Sequence, residues 1–273
     1  MPGRDAGPGA GVSPSAIELE VVPDADEPDC AEVFVRGTVA GRPYRFLLDT
    51  GAAISRLPAD ELTGLLPVLR RDSSHGVFGA AGHDVVRIRD LVVGTMSAPV
   101  LDVARGGSAL LGMDVLGRYA LQFRFSASLL EPAAAAPRPP GNLLVDGRGH
   151  PYVQVEIDGV VAAGVCDTGA GITVVDETFR QRHADLFQPL GRSVGTDAGG
   201  RSQRSDDYRI APYVVGGVRF DPHRVAAVDL GDANRTVERR IDLILGYPTL
   251  SQADWWFDFP MRAWAVTRPC ATR

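Results

Sequence analysis

Cysteine is scarce in this 273-residue chain, where Cys30, Cys166 and Cys270 are the whole complement. An odd number with no Cys-x-x-Cys spacing excludes a disulfide framework. Histidine is nearly as sparse. His75, His83, His150, His183 and His223 show neither His-x-x-x-His nor Cys/His spacing, so no metal centre is expected. A Gly-Lys-Ser/Thr phosphate loop is missing too, and no cofactor is expected. No apolar run reaches the ~20 residues that a membrane helix needs. The opening stretch Met1-Pro2-Gly3-Arg4-Asp5-Ala6-Gly7 lacks the apolar core of a signal peptide. The expectation is a cytoplasmic protein with no membrane partner. Basic tracts are also lacking. Net charge is −6, and Arg70-Arg71 and Arg239-Arg240 are isolated pairs that read as solvated surface. Nucleic acid is therefore not an expected partner.

What is present is ordinary globular material, 45% apolar and 23% charged, with 31 glycines and 20 prolines. Short strands and many turns fit it better than long helices. Residues 1–15 are rich in Gly, Pro, Ala and Ser and read as a disordered tail. Residues 131–141, a Pro/Ala-rich stretch, read as an extended linker. They separate a first unit, 16–130, from a second, 142–273. Each is about the size of one small domain. Ile17-Glu18-Leu19-Glu20-Val21-Val22 and Leu143-Leu144-Val145-Asp146 open the two units and are candidates for a sheet that joins them.

Two Asp-Thr-Gly triplets give the division its meaning. Asp49-Thr50-Gly51-Ala52 closes the run Tyr44-Arg45-Phe46-Leu47-Leu48, and Asp167-Thr168-Gly169-Ala170 closes Gly164-Val165-Cys166. One such triplet would be a turn and no more. Two lie in matching surroundings, 118 positions apart. At that offset Gly41 falls on Gly159, Val39 on Ile157, Val35 on Val153, Phe34 on Tyr152 and Ile54 on Ile172. The repeat reads as a strand, a turn at Gly41 or Gly159, a second strand, and the acid loop. A second landmark follows each loop: Leu110-Leu111-Gly112-Met113-Asp114-Val115-Leu116, and Ile244-Leu245-Gly246-Tyr247-Pro248-Thr249-Leu250. The bare Gly lets a strand pass close to the acid loop, and a short helix is expected after it. Pro248 suits a first helical turn. Both landmarks lead to strand-like runs, Ala120 to Phe125 and Trp255 to Phe259.

This order of motifs resembles the aspartic peptidases, in particular their retropepsin-like branch, over roughly residues 31–127 and 143–267. Ala52 and Ala170 match that branch, where pepsins usually carry Ser or Thr. The resemblance implies an all-β protein of two β-barrel lobes, related by a pseudo-twofold and fused in one monomeric chain. A short helix would follow each apolar-apolar-Gly motif. It implies Asp49 and Asp167 as the catalytic pair and a peptide or protein as substrate. Thr50 and Thr168 would bond across the lobe interface. Gly51 and Gly169 would leave room for amide N–H groups to approach the carboxylates. The candidate flaps, over Val77-Phe78-Gly79 and Gly195-Thr196-Asp197, depart from the pepsin pattern: the first carries no Tyr and the second carries an acid.

The chemistry follows from the residue types. Two carboxyls in contact resist joint ionisation and hold one proton between them. The ionised partner takes a proton from water while the protonated one polarises the scissile carbonyl. The titration belongs to the pair, so neither role is assigned to one residue. Ala52 and Ala170 lack a hydroxyl that could donate to a carboxylate, which should favour activity nearer neutral pH than pepsin's. Two other readings compete. One is a peptide-binding module of the same fold with weak or no turnover. The other is a serine hydrolase built on Gly191-Arg192-Ser193-Val194-Gly195, which matches Gly-x-Ser-x-Gly. That motif needs a strand before it and a helix after it, whereas turn residues follow here. Trp255-Trp256 could stack on a ligand, but a strand beside the core suits them better.

Overall fold

A computed structural model describes residues 15–27, 29–76, 79–133, 141–196 and 202–269. Strands dominate, arranged as one eight-stranded sheet, one ten-stranded sheet and a six-stranded sheet that takes strands from both halves of the chain. This is the all-β, two-lobed architecture that the repeat predicts.

Each lobe begins with the same hairpin. Ala31–Val39 pairs with Arg42–Leu48, and Pro151–Ile157 pairs with Val160–Cys166. The two-residue connections are Ala40-Gly41, with φ of 49° and 77°, and Asp158-Gly159, with φ of 48° and 78°. Positive φ at both central positions is the turn whose twist matches that of the flanking strands. The second strand of each hairpin then takes a parallel neighbour from far down the chain. Leu47 and Leu48 lie beside Leu110 and Leu111; Val165 and Cys166 lie beside Ile244 and Leu245. A third strand, Arg56–Leu57 or Thr173–Asp176, pairs with the far side of that neighbour. The acid loop therefore begins where a buried strand ends, with a second strand fixed alongside it.

Beyond this frame the lobes differ. In the first, Gly79–Val93 and Met96–Arg105 form one long hairpin. In the second, Pro212 and Pro222 interrupt the matching strands, giving Ser202–Ile210 with Tyr213–Val215, and Val218–Phe220 with Arg224–Val228. Proline supplies no N–H to a ladder, so the strands break there. A short helix follows the third strand in both lobes, Glu61–Gly64 in the first and the longer Glu177–Arg182 in the second; the second lobe also carries a longer connection, with the short helix Gly231–Asn234, between Arg224–Val228 and Leu243–Leu245.

The shared sheet runs in the order Ile17–Glu18, Leu129–Pro132, Ala120–Arg124, Ala253–Asp258, Ala263–Pro269, Gly141–Asn142. Three strands from each lobe meet at its centre, where Phe123 lies opposite Trp255. Both opening segments divide. Ile17–Glu18 joins the shared sheet, whereas Glu20–Pro23 pairs with Ala31–Val39 in its own lobe. Likewise Gly141–Asn142 joins the shared sheet and Leu144–Val145 returns to the second lobe. The linker is shorter than 131–141: Glu131 and Pro132 complete a strand against Gln122 and Leu121, and Gly141 already belongs to the next. Residues 134–140 and the tail 1–14 lie outside the described residues.

One core cluster extends across both lobes. Trp255 is fully buried, stacked on Phe257 and Trp264, so the tryptophan pair serves the core. Each such aromatic contributes about 2–3 kcal/mol by leaving water. A polar link joins the lobes elsewhere. Arg224 of the second lobe reaches Glu27 at 2.7 Å and Asp29 at 3.1 Å in the first, and holds Asp207 at 3.1 Å in its own. Cys30 and Cys166 are buried free thiols, and Cys270 lies outside the described residues. Among the described residues no helix is long and apolar enough to cross a membrane.

Candidate active site

The two acid loops face each other across the lobe boundary. Each aspartate follows directly on its strand, and its amide continues the ladder: Asp49 N donates to Leu111 O at 3.0 Å, Asp167 N to Leu245 O at 3.1 Å. The next turn folds back on the carboxylate. Gly51 N donates to Asp49 Oδ1 at 3.0 Å, and Gly169 N to Asp167 Oδ1 at 2.9 Å. The glycines are needed for another reason as well. A Cβ on Gly169 would stand 2.5 Å from Asp49 Cγ, and one on Gly51 would strike the Asp167 carboxylate. Each carboxyl thus occupies space that the opposite glycine leaves open, which brings the two carboxyls to one place at the lobe boundary.

The threonines lock this arrangement. Thr50 Oγ1 donates to Cys166 O at 2.7 Å and accepts from Thr168 N at 3.1 Å. Thr168 Oγ1 donates to Leu48 O at 2.7 Å and accepts from Thr50 N at 3.1 Å. Four buried bonds therefore cross between the lobes at the base of the pair. A valine of the same shape would leave these backbone groups unpaired at about 1–3 kcal/mol each. Ala52 and Ala170 act through their carbonyls, which accept from Met113 N at 2.8 Å and Tyr247 N at 2.9 Å at the starts of the helices Met113–Leu116 and Tyr247–Leu250. Gly112 and Gly246 make that approach possible. A Cβ on Gly112 would lie 2.8 Å from Ala52 O, and one on Gly246 would overlap Ile172 O.

Burial, and then the Asp167 charge, push Asp49 well above the usual carboxylate range. Burial likewise raises Asp167, against the pull of Gly169 N–H. Two raised, neighbouring carboxyls form a pair that retains a proton where isolated aspartates would have lost theirs. The pair is not symmetric. Arg56 favours the charged form of Asp49, and His150 that of Asp167. Burial lowers Arg56 itself, against the Asp49 charge. His150 Nδ1 is 2.8 Å from Asp146 Oδ2, on the loop that enters Pro151–Ile157.

Sequence reasoning missed Arg56 and His150. It also missed a brace beneath each loop. Ser55 N and Oγ bond the Asp114 carboxylate at 2.9 and 2.6 Å, while Gly112 N donates to Ser55 Oγ at 3.0 Å. In the second lobe Thr173 Oγ1 meets Thr249 Oγ1 at 2.9 Å. The signal was a hydroxyl residue six positions after each aspartate.

The remaining expected residues divide. Gly79, Gly195 and Thr196 lie at the ends of long hairpins, Val68–Gly76 with Gly79–Val93 and Phe187–Thr196 with Ser202–Ile210. Val77, Phe78 and Asp197 lie outside the described residues. Ser193 sits within the strand Phe187–Thr196, opposite Ser205, and its Oγ donates to Asp207 Oδ1 at 2.9 Å. Among the described residues no helix follows it, and its partner is a carboxylate, so the nucleophile-elbow reading is corrected to a hairpin strand. Two surface cavities, one lined by Arg192, Ser205 and Asp229 and the other by Arg71, Asp84 and Arg105, contain neither aspartate of the pair.

Two lobes that each deliver an Asp-Thr-Gly loop to a common buried carboxyl pair define the bilobal acid-protease fold. The comparison with known families agrees. The Aspartyl protease family matches the chain twice, over residues 35–115 and 153–249, one match per lobe and together well over half its length. The chain belongs to that family. Among curated proteins none matches it.

Proposed function

We propose that this protein is an aspartic endopeptidase that hydrolyses peptide bonds with a water held between Asp49 and Asp167. The observation that carries the reading is the seating of each carboxyl against the other loop's glycine, fixed by crossed threonine bonds. The pair holds one proton. Its ionised member takes a proton from the bound water, whose oxygen attacks the scissile carbonyl. The protonated member donates to the carbonyl oxygen as it gains charge. The tetrahedral diol then collapses: one carboxyl gives a proton to the leaving nitrogen, the C–N bond breaks, and the other carboxyl takes a proton from the diol. No covalent acyl-enzyme forms. Both acids come from one chain, so a monomer suffices for turnover.

The test uses wild type, Asp49→Asn, Asp167→Asn and Ser193→Ala on denatured protein and a peptide library. Either Asn variant should lose about 10³-fold or more of the activity. Ser193→Ala should retain it, and a statine-type transition-state mimic should inhibit. Peptide binding without cleavage at every pH would instead identify a binding module. Turnover needs one carboxyl of the pair charged and one neutral, so kcat/KM should be bell-shaped in pH. Both acids are raised, which displaces the bell above the ordinary carboxylate range. Ala52 and Ala170, which offer no side-chain hydroxyl, act in the same direction. A maximum in strong acid would contradict this.

A further inference from the structure

The two lobes present different chemistry beside the acid pair. In the first lobe Leu47, Leu110 and Arg56 lie side by side across three neighbouring strands. In the second the corresponding row is Val165, Ile244 and Val174. Alternation along a strand sends Leu48, Leu111 and Leu57 to the opposite face, where all three are buried in the core. The row therefore lies on the face toward which the acid loop continues, because Asp49 is two residues beyond Leu47.

In the second lobe this face is apolar and covered. Val165, Val174 and Ile244 pack with Tyr152, Leu230 and Ile241 beneath the long connection between Arg224–Val228 and Leu243–Leu245. In the first lobe the equivalent connection is short, and the row ends in a guanidinium. Arg56 Nε donates to Ser108 O at 2.9 Å, and its Cζ stands 3.3 Å from the point where a Cβ on Gly107 would lie. A bulkier residue than glycine, here with φ of 66°, would displace it. The planar group is thus oriented by the backbone, half-buried and within electrostatic reach of Asp49.

We propose that Arg56 is a specificity-determining residue that forms a subsite for an acidic side chain, Asp or Glu, at one fixed position beside the scissile bond. The proposal rests on the peptidase reading above. An oriented, partly desolvated guanidinium suits a carboxylate, whose charge it complements. The position equivalent to Arg56 in the second lobe is the apolar Val174, so the preference is expected on one side of the pair. With its net charge of −6 the chain as a whole disfavours acidic peptides, which a local cation at the site would offset.

The experiment compares peptides that differ only by Glu against Gln at each position around the cleaved bond. Each pair is measured as kcat/KM and, with a hydroxyethylene isostere at that bond, as Kd by calorimetry. The isostere reports on the subsite whether or not turnover occurs, so failure of the peptidase reading is seen separately. Wild type is expected to favour Glu over Gln at one position by about tenfold or more in both measures. Arg56→Val, which installs the second lobe's residue, and the polar Arg56→Gln should each bring the ratio close to one, and Arg56→Lys should keep part of it. The absence of a Glu preference at every position in wild type would overturn the proposal. So would an unchanged ratio in Arg56→Gln, including the case where that variant shifts the pH profile, since Arg56 would then act on Asp49 alone.

Discussion

At the scale of single residues, the buried acid pair costs the fold stability. An aspartate held protonated by burial and by a neighbouring charge weakens the fold once the unfolded chain can ionise freely. The folded-state value of Asp49 is raised, so above about pH 4 the unfolded state binds fewer protons than the folded one. Stability then falls with rising pH until the folded pair also ionises. Asp49→Asn removes that penalty. It is expected to unfold at a higher temperature than wild type at pH 7 and to match wild type near pH 3. Thermal scans at the two pH values check this, and a variant less stable than wild type at pH 7 would contradict it. The residues of this pair were legible because the sequence presents them twice with the same neighbours. Arg56 and His150 were not. Each influences an aspartate through space from another strand or loop, and neither has a like residue in the other lobe to mark it.

At the scale of elements, the repeated glycine after each apolar pair is a packing requirement. Gly112 and Gly246 bring a strand end against the carbonyls of the acid loop. Gly112→Ala would push a methyl group into Ala52 O and the Ile54 backbone, which cannot yield as a side-chain tip can. A loss of about 2–3 kcal/mol is expected, together with a fall in kcat larger than any change in KM, because the loop carrying Asp49 moves. Denaturant unfolding and peptide kinetics read both effects. Strands and short helices around these landmarks follow from local pattern. The breaks at Pro212 and Pro222 are equally local, since proline removes a donor wherever it falls. Strand partners in the shared sheet do not follow from local pattern. Ile17–Glu18 and Gly141–Asn142 are two-residue strands whose partners are fixed only once the lobes dock.

At the scale of the whole molecule, the site exists only while two lobes hold one relative position. The crossed threonines and the shared sheet provide this at the centre, and Arg224 provides it at the periphery. Its guanidinium joins Glu27 and Asp29 of the first lobe to the buried Asp207 of the second, and Asp207 in turn holds Ser193 on the long hairpin. Arg224→Ala leaves Asp207 without its cation. It should cost about 3 kcal/mol; the loss should shrink in high salt as the surrounding carboxylates are screened. Equal stability of this variant and wild type at low ionic strength would show that the link is ornamental. Charge and composition foretold none of this, because they are the same for any arrangement of the two halves.

The central claim is that two aspartates from separate lobes share one proton, and a carbon-detected NMR titration of their carboxyls reads it directly. With labelled aspartate, the pair should titrate in two well-separated steps, the upper one far above the ordinary carboxylate range. Replacing Asp167 by Asn should leave Asp49 with a single step. Two carboxyls that titrate together near the ordinary value, unaffected by each other's removal, would contradict the account.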